Sequence, residues 1–200
     1  MEPFALYVDH AQGSRKWDVD GNELIDYVMG HGALLLGHGH PGVAEAIDRQ
    51  RTRGTHYGAS SEAEIAWAEW VQRLVPSAER VRFTSSGTEA THMAIRLARA
   101  FTGKDKVVKF SSHFHGWHDN VVGAPSADGP VWPGVPQATL ANLIVLPQND
   151  VDAVARVLRA DDDVACLIIE PTGAGMGGVP LDNPRFLVEL ADLTRRAGVP

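Results

Sequence analysis

The sequence predicts an α/β fold with a largely parallel sheet, and three observations support this prediction. The chain has 200 residues, 44% hydrophobic and 22% charged, which is enough for one sizeable core. Strand and helix patterns alternate from residue 80 onward, as in parallel sheets whose strands are connected by helices. A glycine-containing turn at 85–91 follows a strand pattern and opens a long helical pattern.

The elements before residue 80 form a separate group. Segments 17–19 and 24–26 predict a hairpin, because the residues between them, Asp20-Gly21-Asn22, tolerate positive φ. A helix is expected at 41–53, and a second begins at Ser61, forms a capping box with Glu64 and ends before Pro76. We therefore divide the chain into an N-terminal hairpin and helix segment, 1–60, and a larger domain, 61–200.

The larger domain follows the α/β pattern from residue 80 to its last helix. The predicted strands are 80–85, 106–111, 143–146 and 164–170, and the predicted helices are 88–102, 151–159 and 184–197. Ligands of such sheets bind at the carboxyl ends of strands, where loops 85–88, 113–118 and 170–178 would converge. The connection 112–142 exceeds the ~15 residues usual for a structureless loop, which favours a functional or covering loop.

Composition excludes several classes of function. The formal charge is −7 and no Lys/Arg cluster occurs, so nucleic acid is not expected as the main partner. The first residues do not resemble a signal peptide, and no apolar run approaches the ~20 residues of a membrane span. We therefore expect a cytoplasmic protein without membrane contact. The single cysteine, Cys166, lies in an apolar run and is expected to be buried.

The turn at 85–91 supports two interpretations. Free backbone N–H groups, the helix dipole and Gly87 would form an anion site, which hydroxyls of Ser86 and Thr88 would complete. Alternatively, Ser86 and Glu89 form a capping box that satisfies the N–H groups without a ligand. Spacing alone leaves both open.

The histidine loop, 113–119, also has two interpretations, each typical of a different class of enzyme. His113, His115 and His118 could ligate zinc, with a spacing that resembles the HxHxDH motif of metallo-β-lactamase-type hydrolases, although Trp117 occupies the aspartate position. Alternatively, Phe114 stacks on a flat heterocycle while Gly116 lets the chain turn sharply beside it. In the simplest case the aromatic residues only fill a core.

A family resemblance follows from motifs that occur in order along the chain. These are WDVDGN (17–22), LGHGHP (36–41), SSGTEA (85–90), FHGWHD (114–119), IEP (169–171) and MG (176–177). Residues 17–200 resemble the first part of a class III aminotransferase of the pyridoxal phosphate fold type I. Within that family they are most similar to the glutamate-1-semialdehyde 2,1-aminomutase-like aminotransferases.

The resemblance implies pyridoxal 5'-phosphate as cofactor and a set of residues that bind it. By similarity, Ser86, Gly87 and Thr88 hold the phosphate. Phe114 stacks on the pyridine ring at a position where relatives usually have tyrosine. The remaining implied residues are His115 and Gly116, which shape the pocket, and Glu170, which lies near the edge of the cofactor.

Substrate residues are implied at positions where this chain departs from its relatives. His31 stands where aminomutases tend to have tryptophan, and Tyr57 lies in a loop that faces substrate in the family. Gly175 replaces a switch glutamate or an aminomutase asparagine. The implied partners are a small-molecule amino donor, an oxo acceptor and, for the whole protein, a second copy of itself.

The family's chemistry also requires a Schiff-base lysine and an aspartate on the pyridine nitrogen. In relatives both come after the segment that matches residues 195–200, so the resemblance implies that they lie beyond Pro200. None of Lys16, Lys104, Lys106 and Lys109 stands in a matching context. We therefore expect a fragment that lacks the small C-terminal domain and forms no lysine-linked aldimine alone. The alternatives are a zinc-dependent hydrolase and a catalytically dead cofactor-binding remnant.

Overall fold

The chain divides into two compact units. The computed structural model describes residues 5–123, 133–172 and 185–200. Residue contacts separate Met1–Val81 from Arg82–Pro200. The sequence suggested a boundary after residue 60, whereas the second helix and the loop behind it cluster with the first unit.

The first unit begins with an antiparallel sheet in the order β1-β2-β3. Its strands are β1 (Val8–Gln12), β2 (Arg15–Asp18) and β3 (Glu23–Ile25). The predicted hairpin is β2–β3, and its turn is held by the Asp18 carboxylate, which accepts from the N–H groups of Asp20 and Asn22 at 3.0 and 2.8 Å. β1 was not predicted, because its residues, VDHAQ, carry no alternation of apolar side chains.

Two helices complete the first unit, α1 (Pro41–Arg51) and α2 (Glu62–Leu74). Both begin where the sequence predicts. Pro41 occupies the first turn of α1, and the Ser61 hydroxyl accepts from the N–H of Glu64 at 3.3 Å. Capping signals are local, and for that reason they place helix starts well.

The second unit contains a parallel sheet in the order β5-β4-β6. Its strands are β4 (Lys106–Phe110), β5 (Leu143–Leu146) and β6 (Val164–Leu167). The helices are α3 (Gly87–Thr102), α4 (Asp119–Val122), α5 (Gln137–Leu140), α6 (Val151–Ala160) and α7 (Phe186–Ala197). The α/β prediction is confirmed for this unit, and the long connection 112–142 contains the two shortest helices.

The core lies on both faces of β4. Val107 packs with Ile95 of α3, whereas its neighbour Val108 packs with Val154 of α6 and Phe186 of α7. Successive strand residues point to opposite faces, so the central strand needs apolar residues at consecutive positions. Both valines are fully buried. Cys166 belongs to the α3 side of this core, and burial raises the pKa of its thiol, as expected of a buried hydrophobe.

The predicted strand at 80–85 is wrong, and several predicted boundaries shift. Residues 80–85 keep the alternation, with Val81 and Phe83 partly buried and Arg82 exposed, but they join neither sheet of the described residues. A strand needs a hydrogen-bonded neighbour, and alternation alone does not supply one. β6 ends at Leu167 rather than 170, and α7 begins at Phe186 with Arg185 as its N-cap. Residue 184, where this helix was predicted to begin, lies outside the described residues.

No helix within the described ranges is both long and apolar enough to cross a membrane.

Candidate functional site

The start of α3 forms the capping box that the sequence predicts. Ser86 is extended, and its hydroxyl accepts from the N–H of Glu89 at 3.2 Å. The Glu89 carboxylate reaches back and accepts from the N–H of Ser85 at 2.7 Å. The box therefore satisfies one N–H group inside the first turn and one before it.

The capping box and the anion site do not exclude one another. Gly87 and Thr88 are the first two residues of α3, so their N–H groups have no acceptor within the helix. No other acceptor for these two groups occurs among the described residues. A Cβ added at Gly87 would meet nothing within 4 Å, so no neighbouring segment crowds this residue.

The histidine loop packs directly against this helix start. Gly116 has a φ of +106°, and a Cβ there would lie 2.8 Å from Oγ1 of Thr88. The N–H of Trp117 donates to the same Oγ1 at 3.3 Å. No acceptor for the hydrogen of that hydroxyl occurs among the described residues, so it could donate to a ligand.

Thr91, one turn further along α3, ties the helix to the loop. Its hydroxyl lies 2.6 Å from the carbonyl oxygen of His115, to which it donates. Nε2 of His118 lies 3.2 Å from the same hydroxyl. The helix and the loop are therefore joined at Thr88 and at Thr91.

Glu170 connects the histidine loop to the neighbouring strand. β4 and β6 are adjacent and parallel, so the segments that follow them emerge at the same edge of the sheet. The N–H of Phe114 donates to Oε1 of Glu170 at 2.5 Å, and the N–H of Glu170 donates to Nδ1 of His113 at 3.2 Å. The Phe114 ring is 38% exposed and meets the edge of Trp117 at a centroid distance of 5.3 Å.

Three ionisable side chains near Phe114 in the sequence, Lys109, His113 and His115, are buried. Burial lowers the pKa of His115 to about 4, and the nearby Lys109 and His113 act in the same direction. Burial also lowers the pKa of His113, which Glu170 opposes. Lys109 is 7% exposed and donates to the carbonyl oxygen of Val121 at 2.8 Å; burial lowers its pKa as well. His113 and His115 are therefore neutral at pH 7.

A cavity of about 290 Å³ opens beside the Phe114 ring. Lys109, His113, Phe114, Trp117 and Val121 are among the residues that line it.

The zinc interpretation finds no support in the geometry. Nδ1 of His113 already accepts from Glu170, and the portion of the chain that is described contains no group of three metal-ligating side chains.

The second unit brings the predicted cofactor residues to one edge of its sheet. They are Ser86, Gly87, Thr88, Phe114, His115, Gly116 and Glu170. Thr91, Trp117 and the Nδ1 contact of His113 belong to the same arrangement and were missed. The only local signal for Thr91 is its place one helical turn after Gly87.

Two of the predicted substrate residues, His31 and Tyr57, belong to the first unit. His31 is exposed with a φ of +57° in a loop of the first unit. The Tyr57 hydroxyl lies 3.0 Å from the carbonyl oxygen of Arg53 and accepts from Nε2 of Gln50 at 2.8 Å, so it closes the end of α1. Gly175 lies outside the described residues.

Solved structures first define the class of fold. An omega-transaminase from Sphaerobacter thermophilus superimposes with a TM-score of 0.90 at 37% identity, covering 100% of this chain and 48% of that one. A transaminase solved with PLP bound gives 0.88 at 34% identity, covering 100% and 48%. A glutamate-1-semialdehyde aminomutase from Pseudomonas aeruginosa gives 0.83 at 33%, covering 97% and 43%. The fold is that of the fold type I pyridoxal phosphate transaminases.

Sequence comparison then gives the family. The Aminotransferase class-III model matches residues 1–199. Glutamate-1-semialdehyde 2,1-aminomutases from Methanopyrus kandleri and Staphylococcus carnosus are each 44% identical, over 98% and 97% of this chain. The chain covers 47% and 46% of these relatives, so it spans about half of their length. The chain belongs to the class III aminotransferases.

Proposed function

We propose that this chain forms the phosphate-binding and ring-stacking part of a pyridoxal phosphate-dependent aminotransferase or aminomutase. The observation that carries the proposal is the meeting of the α3 start, the Phe114 ring and Glu170 at one sheet edge. When bound, the cofactor supplies the carbonyl carbon that takes up an amino group and a ring that accepts electrons.

The start of α3 fits the phosphate of the cofactor. The N–H groups of Gly87 and Thr88 point out of the first turn, where the helix dipole places roughly half a positive charge. The Thr88 hydroxyl accepts from the N–H of Trp117 and donates its own hydrogen to the anion. The Ser86 hydroxyl, which accepts from Glu89, has its hydrogen available for the same purpose.

Phe114 fits the flat ring of the cofactor. Its amide is fixed by Glu170, its ring is partly exposed, and stacking of aromatic rings contributes on the order of 1 kcal/mol beyond area burial. His115 is a buried, neutral residue of the histidine loop, so it shapes the pocket without adding charge. Gly116 keeps the loop close to Thr88.

The remaining parts of the function come from similarity to relatives. We propose a small-molecule amino donor and an oxo acid or aldehyde as acceptor, with His31, Tyr57 and Gly175 near the substrate. The lysine and aspartate of the chemistry are proposed to lie beyond Pro200.

We further propose a cytoplasmic homodimer. The apolar residues that α2 exposes support association, since Trp67, Trp70 and Leu74 are 64%, 60% and 76% exposed.

Replacement of Thr88 by valine tests the proposed phosphate site. Thr88→Val keeps the shape of the side chain and removes the donor to the phosphate. Loss of a hydrogen bond to a charged group costs about 1.5–3 kcal/mol, so the Kd for pyridoxal phosphate should rise roughly ten- to hundredfold. The measurement is a fluorescence titration of the complete protein with the cofactor.

Thr194→Val is the matched control, because Thr194 lies on α7 and donates only to the carbonyl oxygen of Ala191. Its Kd should equal that of the unmodified protein. An unchanged Kd in Thr88→Val would remove Thr88 from the phosphate site.

A further inference from the structure

His113 is a buried side chain that cofactor binding by Phe114 and Glu170 does not by itself require. It is 3% exposed and follows the end of β4. Its ring packs against Phe110, at a centroid distance of 5.5 Å, and against His115, at 6.1 Å. Two aromatic contacts therefore restrict the motion of the ring.

Two consecutive residues hold the same glutamate. Nδ1 of His113 accepts from the backbone N–H of Glu170 at 3.2 Å, and the backbone N–H of Phe114 donates to the Glu170 carboxylate at 2.5 Å. Glu170 is thus fixed at its backbone by one residue of the histidine loop and at its side chain by the next. The two bonds therefore tie Glu170 to consecutive residues of the histidine loop.

The hydrogen bond requires one particular tautomer of His113. Nδ1 accepts, so the ring hydrogen is on Nε2, and a second hydrogen on Nδ1 would face the N–H of Glu170. Burial favours the neutral ring, as does Lys109, whereas Glu170 opposes it. His115, the other titratable group against this ring, is itself kept neutral by burial.

We propose that His113 is a positioning residue for the cofactor ring: it fixes the backbone of Glu170, so that the Glu170 carboxylate holds the Phe114 amide and sets the plane of the Phe114 ring. The inference rests on the proposed function, because it assigns His113 a role at the same site. His113 itself touches neither the phosphate nor the reacting atoms.

The test compares two replacements of His113 in the complete protein. His113→Asn keeps an acceptor oxygen close to the place of Nδ1, whereas His113→Leu fills a similar volume without an acceptor. Two readouts are measured for each variant: the Kd for pyridoxal phosphate, and the visible circular dichroism per bound cofactor, which reports the fixed orientation of the cofactor ring.

The proposal expects His113→Leu to lose most of the visible dichroism and to bind the cofactor roughly tenfold more weakly, as for one lost hydrogen bond. His113→Asn should restore most of both. Equal dichroism in both variants and the unmodified protein would overturn the proposal, as would equal losses in both, which would indicate packing alone.

A measurement without substitution covers the case in which His113→Leu does not fold. The ¹⁵N chemical shifts of His113 in the unmodified protein should report a neutral ring with hydrogen on Nε2 at pH 7. Hydrogen on Nδ1 would overturn the proposal. Failure of the unmodified protein to bind pyridoxal phosphate would overturn the proposed function and this inference together. If the unmodified protein binds the cofactor and both variants behave as it does, only this inference is overturned.

Discussion

Gly116 is the residue of the histidine loop that packs against Thr88 at the start of α3. An added Cβ would lie 2.8 Å from Oγ1 and 2.9 Å from Cα of Thr88, and the φ of +106° is itself unfavourable for other residues. The contact between loop and helix therefore depends on glycine at this position.

We expect Gly116→Ala to lower the free energy of unfolding by about 1–3 kcal/mol from backbone strain and to weaken cofactor binding, because Thr88 must move. Urea unfolding and a cofactor titration measure both effects. Gly87→Ala is the control for stability, since its Cβ would meet nothing within 4 Å and its φ is not positive. Equal stability of the two variants would contradict the account of Gly116.

At the residue scale, sequence reasoning succeeded where partners are close along the chain. The capping box of Ser86 and Glu89 spans three positions and could be predicted from spacing. The Nδ1 contact of His113 could not, because its partner, Glu170, is 57 positions away and either ring nitrogen could have been the acceptor. The sequence therefore suggested His113 only as a metal ligand.

The elements of the second unit depend on burial against the central strand. Val154 on α6 is fully buried in the same core cluster as Val108 and Phe186, whereas Val188 on α7 is 63% exposed. Replacing valine by alanine at each position therefore distinguishes the effect of lost core packing from the effect of helix propensity.

Val154→Ala should lower the free energy of unfolding by about 2 kcal/mol, from two lost methyl groups and the cavity they leave. Val188→Ala should change it by less than about 0.5 kcal/mol. Chemical denaturation of both variants under identical conditions provides the comparison. A loss at Val188 as large as that at Val154 would mean that the α7 surface is also packed.

At the element scale, strands were predicted less well than helices, although α4 and α5 were not predicted and α7 begins later than expected. The starts of α2 and α3 were predicted well because the residues of each cap are only three positions apart in the sequence. The strand predicted at 80–85 failed because pairing depends on a distant neighbour, and β1 was missed because an exposed, polar strand lacks alternation.

At the scale of the whole molecule, the stability of the first unit depends on one buried carboxylate. Asp26 is the only buried residue among those described in that unit. It lies 2.7 Å from Nε2 of His38 and 3.0 Å from Nζ of Lys16, and it accepts from the N–H groups of Val28 and Met29. Strand β2, the loop that begins at Val28 and the segment around His38 are therefore all joined to the Asp26 side chain.

These contacts predict a pH dependence for the stability of this unit. The hydrogen bond to His38, followed by that to the Met29 backbone, holds the pKa of Asp26 well below its usual range. A lowered folded-state pKa stabilises the folded state above the unfolded value of about 3.9, and this stabilisation is lost as the pH falls below that value. Asp26→Asn should reduce stability at pH 7 and flatten the acid dependence.

Thermal unfolding between pH 2 and 7 measures this effect. Asp20→Asn, at an exposed turn position, is the control and should retain the acid dependence of the unmodified protein. An Asp26→Asn protein with the same pH profile as the control would contradict the role of Asp26.

The central claim is that the start of α3 and the Phe114 ring form two sides of a pyridoxal phosphate site. A crystal structure of the complete protein grown with pyridoxal phosphate tests it most directly. The account predicts phosphate oxygens within hydrogen-bond distance of the N–H groups of Gly87 and Thr88, with the cofactor ring stacked on Phe114. A cofactor bound elsewhere, touching neither the α3 start nor Phe114, would contradict it.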